Sequence, residues 1–336
     1  MVEFVTVAAM DSMPPLGPPY ADTTRVAGVE LDTRWGLLSA GGRVDRFWGD
    51  AVRQGVFTAA RAHLGASGRM GRRTEWGAWW ISPAARIDGW TTGDAPAYSL
   101  RLDAGLSRGS LGATAGFGGS AAPPVIADLI FHEGVGVRPN PELRAERVPW
   151  ELEGALTWQP AHWRVARPRI ELGAYVGRIR DMVLWAPDFR FVWSPRNFDA
   201  RRAGVALDAH VAAPRWGLVV EASYALSSVR YDRPEGPQVI YRPRNTQYLG
   251  VQRISRHWTG RLSVRRLGER FPNHGGVGAL DPVTVTDASI SVRPRVGRAD
   301  LDLTISANDI FDVRAAFIAE YPSPGRSLTA AMTWEW

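Results

Sequence analysis

The sequence predicts an all-β protein, a transmembrane antiparallel β-barrel, and three observations lead to this fold class. Apolar and polar residues alternate with a period of two through much of the 336-residue chain, whereas helical periodicity is scarce. Short and long connections alternate over the last third of the chain, as the turns and loops of outer-membrane barrels do. The chain also contains 15 Trp residues, and Trp is enriched where a bilayer meets water.

Five segments show the alternation most clearly. Each spans about the nine to eleven residues that a tilted strand needs to cross a bilayer. They are PWELEGALTW (149–158), RIELGAYVG (169–177), LVVEASYAL (218–226), ADLDLTISAND (299–309) and SLTAAMTWEW (327–336). We expect the apolar side chains on one face of each strand to contact lipid, and the polar side chains on the other face to meet water inside the barrel.

The segment PNPELRAERVPWELEGALTW (139–158) joins a charged, proline-rich stretch to a strand that has a Trp near each end. In a membrane barrel, Trp150 and Trp158 would lie at the two lipid interfaces, and Glu151 and Glu153 would face a wet lumen. In a soluble sandwich the Trp pair would face a core instead. The many Trp residues also leave open a third interpretation, a surface carbohydrate-binding β protein.

The connections set the strand count and the domain boundaries. Short turns are predicted at 159–167, 212–217, 253–258 and 293–299, and long loops at about 118–147, 186–201, 228–245, 267–282 and 311–326. Together they predict about fourteen strands, give or take two. Residues 25–336 are predicted to form the barrel, and residues 1–24 an N-terminal loop or a non-native start. The first residues lack the basic region and the apolar core of a signal peptide.

Composition and spacing give no sign of catalysis, of a cofactor or of a bound metal. There is no Cys, which excludes disulfides and Cys-based zinc sites, and the net charge of +6 is too dispersed for a nucleic-acid footprint. His132-Glu133 lacks the second His of a zinc-protease helix, because position 136 is Gly. Asp300, Asp302 and Glu335 are expected to face the lumen and to pair with arginines such as Arg261 and Arg265.

Several segments, in order along the chain, resemble TonB-dependent outer-membrane receptors. The first, NPELRAERVPWELEGALTW (140–158), is similar to the segment that precedes a mid-barrel strand in that family. The others are RIRDMVLW (178–185), NFDARRAGVALDA (197–209), SANDIFD (306–312) and YPSPGRSLTAAMTWEW (321–336), and upstream WGLLSAGGRVD (35–45) resembles a further barrel strand.

The resemblance implies the C-terminal barrel portion of a receptor that takes up a large scarce solute, such as a ferric siderophore, haem or cobalamin. Such receptors have 22-stranded barrels closed by a plug domain. No plug is visible here, so we expect part of a 22-stranded barrel, from a truncated gene or a split receptor. A TonB-type energising complex is then a partner only if a plug is supplied elsewhere. A self-contained passive pore of about fourteen strands is the alternative.

The long loops hold the best candidates for solute contact. Their aromatic and basic side chains suit an anionic metal chelate, because Arg binds carboxylate and phosphate oxygens in a fork. The candidates are Tyr231, Arg233, Tyr241, Arg242, Arg244, Phe271, His274 and Tyr321. The same arginines could instead bind lipopolysaccharide phosphates or remain solvated.

The last residue, Trp336, resembles the C-terminal aromatic that the barrel-assembly machinery recognises in outer-membrane proteins. The predicted location is therefore the outer membrane of a Gram-negative bacterium. The expected partners are outer-membrane lipid, lipopolysaccharide and the assembly machinery, and no nucleic acid.

Overall fold

The computed structural model describes residues 2–9, 21–51, 55–75, 77–91, 96–125, 128–129, 136–160, 165–233, 236–296, 299–313, 316–319 and 321–335. The strands are β1 (Val2–Ala9), β2 (Ala21–Trp35), β3 (Leu38–Ala51), β4 (Gly55–Gly68), β5 (Met70–Thr74), β6 (Gly77–Trp90), β7 (Ala97–Arg108), β8 (Leu111–Ala122), β9 (Glu146–Trp158), β10 (Arg167–Pro187), β11 (Trp193–Ala213), β12 (Leu218–Tyr231), β13 (Asn245–Ile254), β14 (Trp258–Leu267), β15 (Val283–Val292), β16 (Arg295–Val296), β17 (Ala299–Asn308), β18 (Ala316–Ile318), β19 (Tyr321–Pro322) and β20 (Ser327–Glu335). A 3-10 turn, Pro214–Trp216, joins β11 to β12. No helix in these ranges is long and apolar enough to cross a membrane.

Eighteen of these strands form one antiparallel sheet in which strands that follow each other in sequence lie side by side. β4 and β5 occupy one position because both pair with β6, and β15 and β16 occupy one position beside β17. The described sheet is therefore sixteen strands wide, within the range that the sequence predicts. β18 and β19 form a separate small pair.

The connections are sorted by length between the two edges at which strands end. One edge, which we call the loop end, has the long connections 123–145, 232–244, 268–282 and 309–326. The opposite edge, the turn end, has tight turns such as 36–37, 109–110, 214–217 and 255–257. This sorting confirms the alternation predicted for the last third of the chain. In the first half it is weaker, because the loop-end connections 52–54 and 91–96 are short.

The sheet has one apolar face and one polar face, because successive side chains of a strand point to opposite sides. One row of the apolar face crosses four adjacent strands and consists of Leu156, Leu172, Leu207 and Tyr224. These four side chains are 40–62% exposed. The adjacent row on the polar face consists of Thr157, Glu171, Asp208 and Ser223. The apolar face is thus presented to the surroundings.

The main buried apolar cluster lies at the loop end rather than in the sheet wall. β10 and β11, at 21 residues each, extend past their neighbours and pair with each other there. A bulge separates Ile179 from Met182, and Asp181 within it has a φ of 55°. The cluster consists of Val148, Ile179, Met182, Ala200, Tyr231 and Val239. This cluster packs the loop-end segments against the ends of the sheet strands.

Several predicted long loops are shorter in the structure, two of them at the ends of β8 to β11. Strand β10 runs to Pro187 and β11 starts at Trp193, so the loop predicted at 186–201 is reduced to 188–192. Asp188 closes this turn, since its carboxylate accepts hydrogen bonds from the backbone N–H of Val192 (3.0 Å) and Arg190 (2.8 Å). The same hydrogen bonds, the one from Val192 foremost, lower the pKa of Asp188. Likewise, β8 and β9 reduce the loop predicted at 118–147 to 123–145.

Within residues 1–24, for which the sequence predicts a loop or a non-native start, the structure describes 2–9 and 21–24. Val2–Ala9 forms β1, which pairs with β2 in a register that places Val2 opposite Gly28. The β-branched residues of VEFVTVAA favour an extended backbone.

Candidate solute-binding surface

Ion pairs cover the polar face of the sheet. Arg101 pairs with Asp103 on its own strand (2.9 Å) and reaches Glu153 two strands away. Further pairs are Arg43–Glu30, Arg43–Asp45, Arg61–Asp88, Arg86–Asp88, Arg169–Glu171, Arg202–Glu151, Arg261–Glu221 and Arg265–Asp287. This surface is highly charged yet locally neutralised, which suits contact with water or with a polar partner.

Of the carboxylates predicted to face the lumen, the one whose side chain is described, Asp302, lies on this polar face. Asp302 pairs with Arg293 (2.8 Å), whereas Arg261 and Arg265 pair with Glu221 and Asp287. The prediction of carboxylate–arginine pairing is confirmed for Asp302, but with a different arginine from those named. Asp300 and Glu335 lie opposite each other in the register of β17 and β20.

Aromatic side chains on the polar face lie over glycines of neighbouring strands. A Cβ added to Gly204 would come within 2.7 Å of the Tyr175 ring, and one added to Gly105 within 2.3 Å of the Trp80 ring. Each ring therefore occupies the space that a side chain on the neighbouring strand would need.

At the loop end, an aromatic cluster joins three hairpins. The Tyr231 hydroxyl hydrogen-bonds to Nδ1 of His274, whose Nε2 lies 3.0 Å from the carbonyl oxygen of Trp185. The His274 ring stacks on Phe198, with ring centroids 4.9 Å apart. Tyr231 is only 4% exposed, and burial raises its pKa to about 12. Tyr231 and His274, both predicted for solute contact, are thus engaged with each other inside the loop end.

A second buried contact fixes the connection between β14 and β15. Arg270 is 2% exposed, and its guanidinium donates to the carbonyl oxygens of Phe317 (3.2 Å), Asp281 (3.3 Å) and Gly268 (3.5 Å). Burial lowers its pKa. This Arg joins the 268–282 segment to the strand pair β18–β19.

The exposed part of the loop end is basic. Arg233, Arg242 and Arg244 are exposed, and none of them has an ion-pair partner among the described residues. Arg233 lies over the Tyr231 ring (5.7 Å) and Arg244 over the Phe271 ring (6.0 Å). Tyr241 and Phe271 are half-buried, and the backbone N–H of Tyr241 donates to the carbonyl oxygen of Phe271 (2.9 Å).

Three of the residues considered in the sequence lie outside the described residues: His132, Glu133 and Trp336. Tyr321 is described by its backbone alone. Within the described ranges, no three His, Asp or Glu side chains are grouped so that they could hold a metal ion.

No family model and no curated protein sequence matches the chain, but solved structures do. The copper transporter OprC superposes with a TM-score of 0.69 at 16% identity, over 95% of this chain and 58% of its own. A ferric enterobactin receptor mutant (PfeA) from Pseudomonas aeruginosa gives 0.62 at 15%, over 94% and 53%. The ferric-catecholate import receptor Fiu from Escherichia coli K12 gives 0.62 at 12%, over 99% and 60%. The chain has the fold of a TonB-dependent receptor barrel.

This fold confirms the resemblance seen in the sequence segments. The chain spans between half and three fifths of the length of these receptors, so it corresponds to a portion of their barrels. By their names, the three are a copper transporter and two receptors for ferric compounds. In a barrel of this class, the polar face lines the lumen and the apolar face meets lipid.

Sequence reasoning missed the residues that hold the loop end together. Phe198 falls inside the loop predicted at 186–201, although the alternation after Asn197 could have indicated a strand. Trp185 ends the segment RIRDMVLW (178–185), and nothing in the sequence indicates that its carbonyl oxygen meets a His ring 89 residues away. Arg270 resembles any other loop Arg in sequence, because its burial depends on a carbonyl 47 residues away.

Proposed function

We propose that this chain forms the wall and the solute-facing loops of an outer-membrane receptor for a large, scarce solute of the ferric siderophore, haem or cobalamin type. The observation that carries the proposal is the difference between the two ends of the sheet. The turn end consists of tight turns, whereas the loop end is built on its own buried core and displays exposed arginines. A simple wall does not need such a structured loop end.

The basic loop surface supports an anionic solute. Arg233 and Arg242 are exposed and free of ion pairs in the described part of the chain, so binding an anion there breaks no existing pair. Fork-shaped guanidinium groups match the carboxylate, catecholate or phosphate oxygens of such a solute. Tyr241 and Phe271 add aromatic surface beside them.

The polar face supports a hydrated passage. Many of its charges are already paired with opposite charges, which weakens the hold of these groups on a charged solute that passes through the lumen. In the receptors that the sequence resembles, gating and energy coupling belong to a plug domain. We propose for this chain the wall and the capture of solute, and a TonB-type complex as partner only together with a plug.

Assembly belongs to the same proposal. Strand β20 ends at Glu335 at the turn end, and the C-terminal Trp336 follows it in sequence. We propose that Trp336 is read by the barrel-assembly machinery and that the mature protein lies in the outer membrane. Trp336→Ala should lower the amount of protein in outer-membrane fractions, whereas Trp216→Ala, at the turn between β11 and β12, should not.

The test measures solute binding and ion conductance on the same preparation. The purified protein is titrated with ferric catecholate, haemin and cyanocobalamin, and binding is followed by equilibrium dialysis. We expect one of these classes to bind, and the Arg233→Gln/Arg242→Gln double variant to weaken its binding by about tenfold or more, which corresponds to about 1.4 kcal/mol. The matched control is Arg215→Gln, an exposed Arg of the turn end.

Two results would count against the receptor. Binding that is equal in the double variant and in the control removes the loop end as the solute surface. The absence of binding for all three solutes, together with steady conductance in planar bilayers, establishes the passive pore instead.

A further inference from the structure

Three arginines form a row on the apolar face near the loop end. Arg178, Arg201 and Arg230 lie directly opposite one another on β10, β11 and β12, and Trp150 of β9 continues the row beside Arg178. All four share the strand parity of the lipid-facing residues. A cationic row on this face is unexpected for a surface that meets hydrocarbon, and it was not among the candidates read from the sequence.

Below this row, toward the turn end, the apolar face is hollowed into a groove. The groove has a volume of about 850 Å³. Small side chains form its floor, because Gly154, Ala174 and Ala203 leave space between larger neighbours. The larger lining residues of the same face are Leu152, Val176, Val205 and Leu226. A hydrocarbon chain is the natural occupant of such a surface.

The row carries more positive charge than the protein neutralises. Asp232 bridges Arg178 and Arg201, with its Oδ1 3.0 Å from Nε of Arg201. Arg230 is exposed and has no ion pair in the described part of the chain, and Arg244, likewise unpaired, lines the groove from above. Asp232 thus pairs with two of the four arginines, and Arg230 and Arg244 have no described carboxylate partner. Like charges on facing strand positions repel, so a bound external anion would reduce the repulsion among these arginines.

One residue that lines this groove carries a buried polar atom without a partner. Gln238 lines the groove, pairs with Arg230 across an isolated bridge and is only 3% exposed. Its Nε2 donates to the carbonyl oxygen of Arg242 (3.4 Å), but its Oε1 has no hydrogen-bond partner in the described structure. An acceptor left in this position suits a hydroxyl or amide N–H of a lipid headgroup.

We propose that the row and the groove form a binding site for one phosphorylated lipid with several acyl chains, of the lipid A class. Guanidinium groups bind phosphate oxygens in a fork, and Trp150 lies at headgroup depth. The row spans four strands, about 14 Å at ordinary strand spacing, which is wider than a two-chain phospholipid needs. The long loops on this side place the site in the outward leaflet.

The test is native mass spectrometry of the purified protein in neutral detergent with bis-phosphorylated lipid A. We expect one lipid A bound per chain, and about tenfold or more weaker retention in the Arg201→Gln/Arg230→Gln variant. Arg253→Gln, an exposed Arg of the same face at the turn end, should retain lipid A as the wild type does. Ala174→Phe, which fills the groove and leaves every charge in place, should also weaken retention.

Three results would overturn the proposal. One is unchanged retention in the Arg201→Gln/Arg230→Gln variant while its circular dichroism matches the wild type. The others are equal retention of dephosphorylated lipid A, which removes the phosphate contact, and equal retention of phosphatidylglycerol, which leaves only a general anionic surface. The inference shares membrane placement with the proposed receptor but needs no solute, so the two can fail independently.

Discussion

The hydroxyl group of Tyr231, the last residue of β12, hydrogen-bonds to the ring of His274, 43 residues further along the chain. His274 in turn stacks on Phe198 and contacts the carbonyl oxygen of Trp185. One imidazole therefore links β10, β11, β12 and the connection between β14 and β15. Because these contacts are largely shielded from water, the loop end is held as a unit, on which exposed arginines are displayed.

Tyr231→Phe should loosen this unit without unfolding the barrel. The change removes one hydrogen bond and leaves Nδ1 of His274 unpartnered, which costs about 1 kcal/mol or slightly more. Hydrogen exchange should become faster in residues 236–240 and 271–277 and remain unchanged in β13 and β14. Tyr224→Phe, on the exposed apolar face, is the matched control and should change neither region. Equal protection in both variants would show that the hydrogen bond does not hold the loops.

The raised pKa of Tyr231 predicts that the loop end loses stability at high pH. Burial raises the pKa of Tyr231 to about 12, so the folded loop end keeps its proton at a pH where an unfolded Tyr, with a pKa near 10, loses it. The stabilisation is fully present below about pH 10 and is lost as the pH rises toward 12, with a slope of up to about 1.4 kcal/mol per pH unit.

Absorbance titration of tyrosinate tests this response. The difference between wild type and Tyr231→Phe should show a single Tyr that titrates at about pH 12, and loop exchange in the wild type should accelerate over the same range. A difference spectrum centred near pH 10 would show that Tyr231 is open to solvent.

Two glycines of the polar face, Gly204 and Gly173, should differ in how well they tolerate substitution by alanine. In Gly204→Ala, the new methyl group falls 2.7 Å from the Tyr175 ring, which must move or strain the strand, at about 1–3 kcal/mol. Gly173→Ala, on the adjacent strand and the same face, meets nothing closer than a backbone oxygen at 3.8 Å. Melting temperature should therefore fall for Gly204→Ala alone.

A double variant identifies the cause of that loss. Gly204→Ala combined with Tyr175→Ala should recover part of the melting temperature relative to the sum of the two single changes. Strict additivity would mean that the ring and the glycine do not interact.

Much of the fold follows from the sequence because the governing signals are local. Alternation such as that around Leu172 and Glu171 decides which face each side chain joins, and two-residue turns such as 36–37 need no long-range information. The extension of β10 and β11 past Trp185 could not be read in this way. Proline and aspartate at 187–188 indicate a break, whereas the structure uses them for a tight turn at the tip of a long hairpin.

The candidate site was less predictable because it depends on which loops meet. Tyr231 and His274 could be selected by residue type, but their burial arises from contacts across three hairpins. The row of Arg178, Arg201 and Arg230 exists only once the registers of three strands are known, since the three residues are unremarkable in sequence. Residue chemistry suggested basic contact surfaces, and strand register determined where they lie.

Asp88 provides the last prediction, which concerns the stability of the wall. This side chain is fully buried and accepts hydrogen bonds from Arg86 Nε (2.7 Å) and Arg61 Nη2 (3.3 Å). Asp88→Asn leaves two arginines beside a neutral amide. Because both arginines are more than a third exposed, solvent reduces the loss of stability to about 1–2 kcal/mol.

Asp32→Asn is the control, since Asp32 is exposed on the same face and has no ion pair in the described chain. Urea unfolding should show a lower midpoint for Asp88→Asn only, and raised salt should narrow the gap to the wild type. Equal urea midpoints for the two variants would mean that the buried carboxylate of Asp88 does not stabilise the sheet more than an exposed one.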